Sequence, residues 1–304
     1  SGYVVTLSLL RSASKTTQNL VATFCGRRFK RIFLPLLCCV LLTFIFFALV
    51  INPLTQYSRT ELNAGISALL GLSNFYFLKQ NLSYFGDVFS WNPFLQTWSL
   101  GIEEQFYLLF PVIVFLILRL FDNPLKYLKL TFIFLASLSL ISYVVISINL
   151  SPSFAFFFSP SRFWELLLGS LLFLYQPQIH IPNYLKPPLF LISLLSIIFV
   201  SFVHAPNQFV PTILICIFTC IAIASYTNTF VDKIIYSPSV QYIGKASYSL
   251  YLYHWPLILF SRLLFPSLSI APLLSLALLF PIAHFSYSRI ENLSPIPITV
   301  GPYS

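Results

Sequence analysis

The sequence predicts an all-α protein: a polytopic transmembrane helical bundle with about nine spans after a partial first helix. Three observations carry that expectation. Charged residues are 8% of the chain and apolar residues 58%, against about 25% charged in ordinary soluble domains. The mean hydropathy is +0.85. The apolar blocks are separated by short Pro- and Ser-containing stretches, with no polar run large enough to form a soluble domain. Residues 1–304 therefore read as one membrane-embedded domain. The net charge of +9 points to loops collected on the cytoplasmic side, where Lys and Arg accumulate, and excludes a nucleic-acid partner as its explanation.

In chain order, residues 1–10 are too short to span and read as the end of a helix whose beginning is missing. Methionine is absent, including at position 1, which fits a chain that has lost its natural start. Residues 19–31 are polar and basic, ending Arg27-Arg28-Phe29-Lys30-Arg31, and predict a loop before a span at 32–52. Residues 62–78, with Gly65 and Gly71, are a shorter span, tilted or only partly exposed to lipid. Residues 79–95 are an aromatic, polar loop ending Trp91-Asn92-Pro93, which reads as an N-cap followed by proline at the first helical position. Spans follow at 97–120, 130–149, 163–175, 187–204, 210–225, 248–264 and 271–287. The basic run at 27–31, with Arg11 and Lys15, marks the cytoplasmic side. If every segment crosses, the 119–129 loop falls outside, although its Lys126 and Lys129 belong inside. Either segment 62–78 is re-entrant or that loop breaks the rule.

Cysteine offers no disulfide framework. Cys38 and Cys39 lie in one apolar run and Cys216 and Cys220 in another, where they read as small packing residues rather than metal ligands. Cys25 sits beside Arg27 and Arg28, a setting that can activate a thiol.

Three polar clusters stand out in apolar surroundings. In Thr97-Trp98-Ser99-Leu100-Gly101-Ile102-Glu103-Glu104-Gln105-Phe106-Tyr107, two of only eight carboxylates lie side by side. A carboxylate near hydrocarbon is costly unless it faces a cavity or a partner. Ser99, Glu103 and Tyr107 recur at i, i+4, i+8 on one helical face, and Glu104 projects about 100° away. A helix-end charge stabilised by the macrodipole is the alternative. In the second cluster Arg162, Glu165 and Gly169 share a face at i, i+3, i+7. That fits either an architectural ion pair or a polar path, and Gly169 would let a neighbouring backbone or a ligand approach closely. In the third, Ser247, Tyr251 and His254 form a hydroxyl–phenol–imidazole stripe suited to acid–base work. An interfacial aromatic belt of Tyr248, Tyr251, Tyr253 and Trp255 would look similar.

Together these segments resemble the acyltransferase-3 family of integral membrane acyltransferases, which includes O-acetylases of bacterial envelope polysaccharides. The resemblance rests on Ser1-Gly2-Tyr3, on Arg27-Arg28-x-x-Arg31 followed by an apolar segment with Pro35, and on Trp98-Ser99-Leu100-x-x-Glu103-x-Gln105-Phe106-Tyr107. It continues through Ser159-Pro160-x-Arg162-Phe163-Trp164-Glu165-x-x-x-Gly169 and Gly244-Lys245-x-Ser247-Tyr248-x-x-Tyr251-Leu252-x-His254-x-Pro256, in family order and over essentially the whole chain. Two departures accompany it. The family's first helix, with a basic residue and a histidine central to acyl transfer, would lie before Ser1, so the segment as it stands is expected to be inactive. The position two before Trp98, often histidine in the family, is Gln96.

The resemblance implies transfer of an acyl group, by default acetyl, from acetyl-CoA or another acyl-CoA to a carbohydrate hydroxyl in a bacterial inner membrane, without a metal. Glu103, His254, Ser247 and Tyr251 become the candidate catalytic residues, and Arg28 and Arg31 the candidates for the donor's phosphates. Trp98, Ser99, Arg162 and Glu165 would line the substrate conduit. The partners implied are membrane lipid, acyl-CoA and a carbohydrate acceptor. A transporter or flippase for a sugar-linked or lipid-linked substrate is the alternative, since it too places Glu, Arg and His within a membrane.

Overall fold

A computed structural model describes residues 1–13, 20–50, 56–80, 91–202, 209–226, 233, 235–268 and 270–291. Among these the secondary structure is helical throughout: α1 (Gly2–Ala13), α2 (Leu20–Val50), α3 (Gln56–Leu69), α4 (Ser73–Lys79), α5 (Thr97–Leu120), α6 (Pro124–Asn149), α7 (Pro152–Phe157), α8 (Phe163–Tyr175), α9 (Lys186–Phe202), α10 (Phe209–Ser225), α11 (Pro238–Leu264) and α12 (Ala271–Arg289). Short 3₁₀ turns at Ser159–Ser161 and Gln176–Gln178 flank α8. Helices α2, α5, α6 and α12 are long and apolar enough to cross a membrane, and α9 and α10 are shorter apolar helices. Their lipid-facing sides are Leu, Ile and Phe, such as Leu49, Ile148 and Phe202, as a bilayer requires. This is the polytopic helical bundle that the composition predicts.

Three local expectations change. The basic run at 27–31 lies within α2, not in a loop before it. At about 46 Å this helix is longer than the hydrocarbon core, so its first turns carry charge into the headgroup region. Asn92 does not cap α5. Its Oδ1 accepts the Phe94 N–H at 2.9 Å, closing a local turn of the kind Asn favours, and α5 starts only at Thr97. The 62–78 segment is not one helix. Gly71 takes φ +68°, a left-handed conformation open to glycine, and the chain reverses there. Tyr76 Oη donates to the Thr60 carbonyl at 2.9 Å, so α3 and α4 lie antiparallel as a re-entrant hairpin.

That hairpin resolves the topology. Phe44 packs on Phe94, and Arg28 lies over Tyr107, so α2 and α5 run antiparallel. Tyr248 meets Ile32, and Phe260 packs on Phe46 and Phe47, so α11 runs parallel to α2. Ser249 faces Ser286, which makes α12 antiparallel to α11. Lys129 lies over Tyr175, joining the start of α6 to the end of α8. One end of the bundle therefore gathers Arg11, Arg27, Lys30, Arg119, Lys126, Lys129, Lys245 and Arg289, and the positive-inside rule assigns it to the cytoplasm. The 119–129 loop obeys the rule because α3 and α4 do not cross.

Irregular backbone inside a membrane must be satisfied by protein. Buried Asn74 donates from Nδ2 to the Phe157 carbonyl at 2.9 Å and to Ser159 Oγ at 2.8 Å. Gln105 Nε2 donates to the Gly71 carbonyl at 2.8 Å and to Asn74 Oδ1 at 2.9 Å. Ser159 completes the loop by donating to Gln105 Oε1. This network ties the hairpin tip, the α7–α8 junction and α5 together. Gln105 belongs to the central motif, yet its role was not legible there, because its partners are distant in sequence.

Helix α1 crosses α8 at two glycines. A β-carbon on Gly169 would stand 2.8 Å from the Tyr3 amide nitrogen, and one on Gly2 would meet the Leu166 carbonyl oxygen. The close approach expected at Gly169 is thus made by a neighbouring backbone. Gly169→Val is expected to cost about 1–3 kcal/mol through overpacking, read as a lower thermal midpoint in detergent. An unchanged midpoint would mean that α1 is not seated on α8.

Candidate active site

Helices α1, α2, α5 and α11 enclose a cavity of about 540 Å³ whose lining includes Ser1, Arg28, Arg31, Ser99, Glu103, Tyr107, Ser247, Tyr248 and Tyr251. Four segments far apart in sequence thus converge, and seven residues singled out from the sequence meet there: Arg28, Arg31, Ser99, Glu103, Tyr107, Ser247 and Tyr251. The predicted face of α5 points inward. Glu103 Oε2 accepts from Tyr107 Oη at 2.8 Å, one helical turn away, and Oε1 accepts from Ser1 Oγ. The Arg28 guanidinium lies over the rings of Tyr107 and Phe24, at 5.1 and 5.6 Å. A cation, a phenol and a carboxylate are therefore stacked along one wall. The order suits charge stabilisation, since the phenol hydrogen-bonds the carboxylate and its ring face attracts the guanidinium.

On the opposite wall, prolines create the contacts. Pro256 inside α11 has no N–H, so the Leu252 carbonyl loses its helical partner. Gln96 Nε2 donates to that carbonyl at 3.1 Å, and Cys39 Sγ stands 3.5 Å from it. In return, Tyr251 Oη donates to the Gln96 carbonyl. The phenol has a single proton, so Ser99 Oγ donates to Tyr251 Oη across 2.7 Å. Gln96, noted from sequence only as a departure, therefore fixes Tyr251 and the start of α5 to α11. Pro111 acts likewise in α5. It frees the Tyr107 carbonyl, and Cys25 Sγ sits 3.7 Å away. Cys25 and Cys39 are thus small donors to broken helical ladders, and none of the cysteines is paired.

The other predicted residues lie elsewhere. His254 stands behind Tyr251, with Nδ1 against the Tyr251 carbonyl and the two ring centroids 5.6 Å apart; it is not on the cavity wall. Trp98, Arg162 and Glu165 form a separate cluster. Ser99 turns to the cavity, whereas Trp98, about 100° round α5, turns away to Arg162. The guanidinium is ringed by Trp98, Tyr143 and Phe156 at 5.6, 5.7 and 5.0 Å. Arg162 Nε lies 3.0 Å from Glu165 Oε1, but neither atom has an aligned hydrogen bond. The contact is Coulombic, and the aromatic cage shares in holding the cation. The four expected conduit residues therefore do not form one surface. Among the described residues no group of His, Cys, Asp and Glu is placed to hold a metal.

Sequence reasoning also missed Glu291. Arg31 Nε donates to its Oε1 at 3.2 Å, although the two are 260 residues apart. Nothing around Glu291 in the sequence signals that pairing.

A family profile described as Acyltransferase domain matches residues 1–286. The chain belongs to the acyltransferase-3 family. A relative, the O-acetyltransferase OatA of Staphylococcus aureus strain NCTC 8325, is 32% identical over 278 residues, covering 86% of this chain and 44% of the relative. OatA of strain COL matches to the same extent. A second protein of strain COL, whose O-acetyltransferase name is provisional, is 33% identical over 277 residues, again with 86% and 44% coverage. The chain thus spans less than half the length of these curated relatives. No solved structure gives a significant match. Within the acyltransferase-3 family, the convergence of Arg28, Arg31, Glu103 and Tyr251 on one cavity makes that cavity the candidate active site of this chain.

Proposed function

We propose that this membrane domain takes part in moving an acyl group, by default acetyl, from acyl-CoA to a hydroxyl of a cell-envelope carbohydrate in a bacterial inner membrane. The single observation that carries the reading is the cavity in which Arg28, Arg31, Glu103 and Tyr251 meet, on the cytoplasmic half of α2. An acyl-CoA is cytoplasmic and polyanionic, and a pair of guanidiniums matches its phosphate oxygens bidentately. The family membership and the O-acetyltransferase name of the relatives support acyl transfer and acetyl as the group.

In this reading Arg28 and Arg31 hold the donor's phosphates, and Glu103 orients or accepts the proton of a reacting group. Ser99 supplies a hydroxyl from the same helix as Glu103, and Ser247 and Tyr251 supply hydroxyls from α11 across the cavity. His254 acts through Tyr251 behind it, and Trp98, Arg162 and Glu165 flank the acceptor's approach on the other side of α5. A hydroxyl acceptor needs a base and a departing thiolate needs an acid, so a carboxylate and phenols lining one cavity fit the chemistry.

Arg28→Lys and Arg31→Lys keep the charge and remove the guanidinium fork. Insertion and topology are expected to be unchanged while acetyl-CoA affinity falls, measured by equilibrium binding to the purified natural protein. Normal insertion with undiminished donor affinity would leave these arginines a topogenic role only. Uptake of a sugar-linked solute into vesicles with no acyl transfer would favour the transporter instead.

A further inference from the structure

Glu291, just beyond α12, lies outside the stretch that matches the family profile. Its side chain is 4% exposed, an unusual place for a carboxylate unless it is paired. Two groups grip it. Arg31 Nε donates to Oε1 at 3.2 Å, and Ser249 Oγ donates to Oε2 at 3.1 Å. Ser249 in turn stands 3.2 Å from Ser286 Oγ. Burial pushes the Glu291 carboxyl up, and the Arg31 guanidinium beside it pulls the other way, as does the Ser249 hydroxyl.

The geometry of the grip matters more than its charge. A guanidinium has a side edge that includes Nε and a terminal pair of Nη groups. Glu291 occupies the Nε edge of an arginine that lines the cavity. The side chain of Arg31 is otherwise long and flexible, and holding it in one orientation removes rotamer freedom before a ligand arrives. We propose that Glu291 is a positioning residue: it holds Arg31 by Nε so that the Nη pair is presented to a phosphate of the acyl donor. This inference rests on the donor-binding reading of the cavity.

The test is equilibrium binding of coenzyme A to the purified natural protein in detergent, with donor KM and kcat measured beside it. Glu291→Ala is expected to weaken coenzyme A binding about tenfold, the scale of one charge-assisted contact, and to raise donor KM with little change in kcat. Glu291→Gln keeps an oxygen for Nε and is expected to restore most of the affinity. A latch that merely ties α12 to α2 would lower the thermal midpoint and leave affinity per folded molecule unchanged, which overturns the proposal. Tighter binding in Glu291→Ala also overturns it, by making Glu291 a competitor of the ligand. Should Glu291→Ala not insert, Ser249→Ala releases the other side of the carboxylate. Lower affinity there supports the grip, and unchanged affinity overturns it. Failure of the unaltered protein to bind coenzyme A would instead overturn the donor-binding reading, and this inference with it.

Discussion

Glu103→Gln is expected to abolish detectable acetylation in the natural protein while its level and insertion stay normal. Glu104→Gln should retain most activity. Glutamine preserves the shape and most of the hydrogen bonding at position 103, including acceptance from Tyr107, and removes only the ionisable group. Loss of a proton-handling or charge-stabilising group costs roughly 10²–10⁴-fold in rate. The two glutamates occupy different surroundings. Glu103 lies on the cavity wall beside Tyr107 and Ser99, whereas Glu104 lies against Gly71 at the hairpin tip, where a β-carbon would stand 2.4 Å from its Oε2. Acetyl incorporation into envelope polysaccharide, normalised to membrane protein, distinguishes them. Parental activity in Glu103→Gln would reduce that carboxylate to a helix-end charge.

The second large effect concerns the caged pair. Arg162→Leu and Glu165→Leu are each expected to lower folded yield more than the double change does. Removing one member of a buried pair strands the other, at a cost of about 3–5 kcal/mol when burial is complete. Side-chain exposures of 10% for Arg162 and 23% for Glu165 place this pair near that limit but short of it. A stranded Glu165 can take up a proton and become neutral, whereas a stranded Arg162 cannot lose its own. Glu165→Leu should therefore be the more damaging single change. A double-mutant cycle on thermal midpoints measures the coupling, and strictly additive losses would show that the two charges do not depend on each other.

The legibility of the site follows the range of the interactions that build it. Ser99, Glu103 and Tyr107 could be placed on one face because a helix repeats every 3.6 residues, and the structure keeps them together. Ser247 and Tyr251 followed from the same rule, but His254 at i+7 shares that stripe only approximately, and it packs behind Tyr251 instead of beside it. The basic run announced itself by charge, yet composition could not tell a loop from the start of a long helix. Asn92 misled because an N-cap and an isolated Asn turn share their sequence signature.

By itself the sequence determined the class of the molecule, the positions of its main apolar helices and the polar faces some of them carry. Each of these is a property of composition or of neighbours within two turns. The tertiary structure alone decided that residues 56–79 fold back at Gly71 and do not cross, which brings the 119–129 loop to the cytoplasmic end. It alone decided that Gln96 reaches the carbonyl freed by Pro256, that Asn74 binds the α7–α8 junction, and that Glu291 grips Arg31. The physical reason is common to all of them. In a low-dielectric interior every freed carbonyl, buried amide and buried charge requires a partner, but that requirement does not name the partner. Its identity is settled only when packing brings two helical faces together.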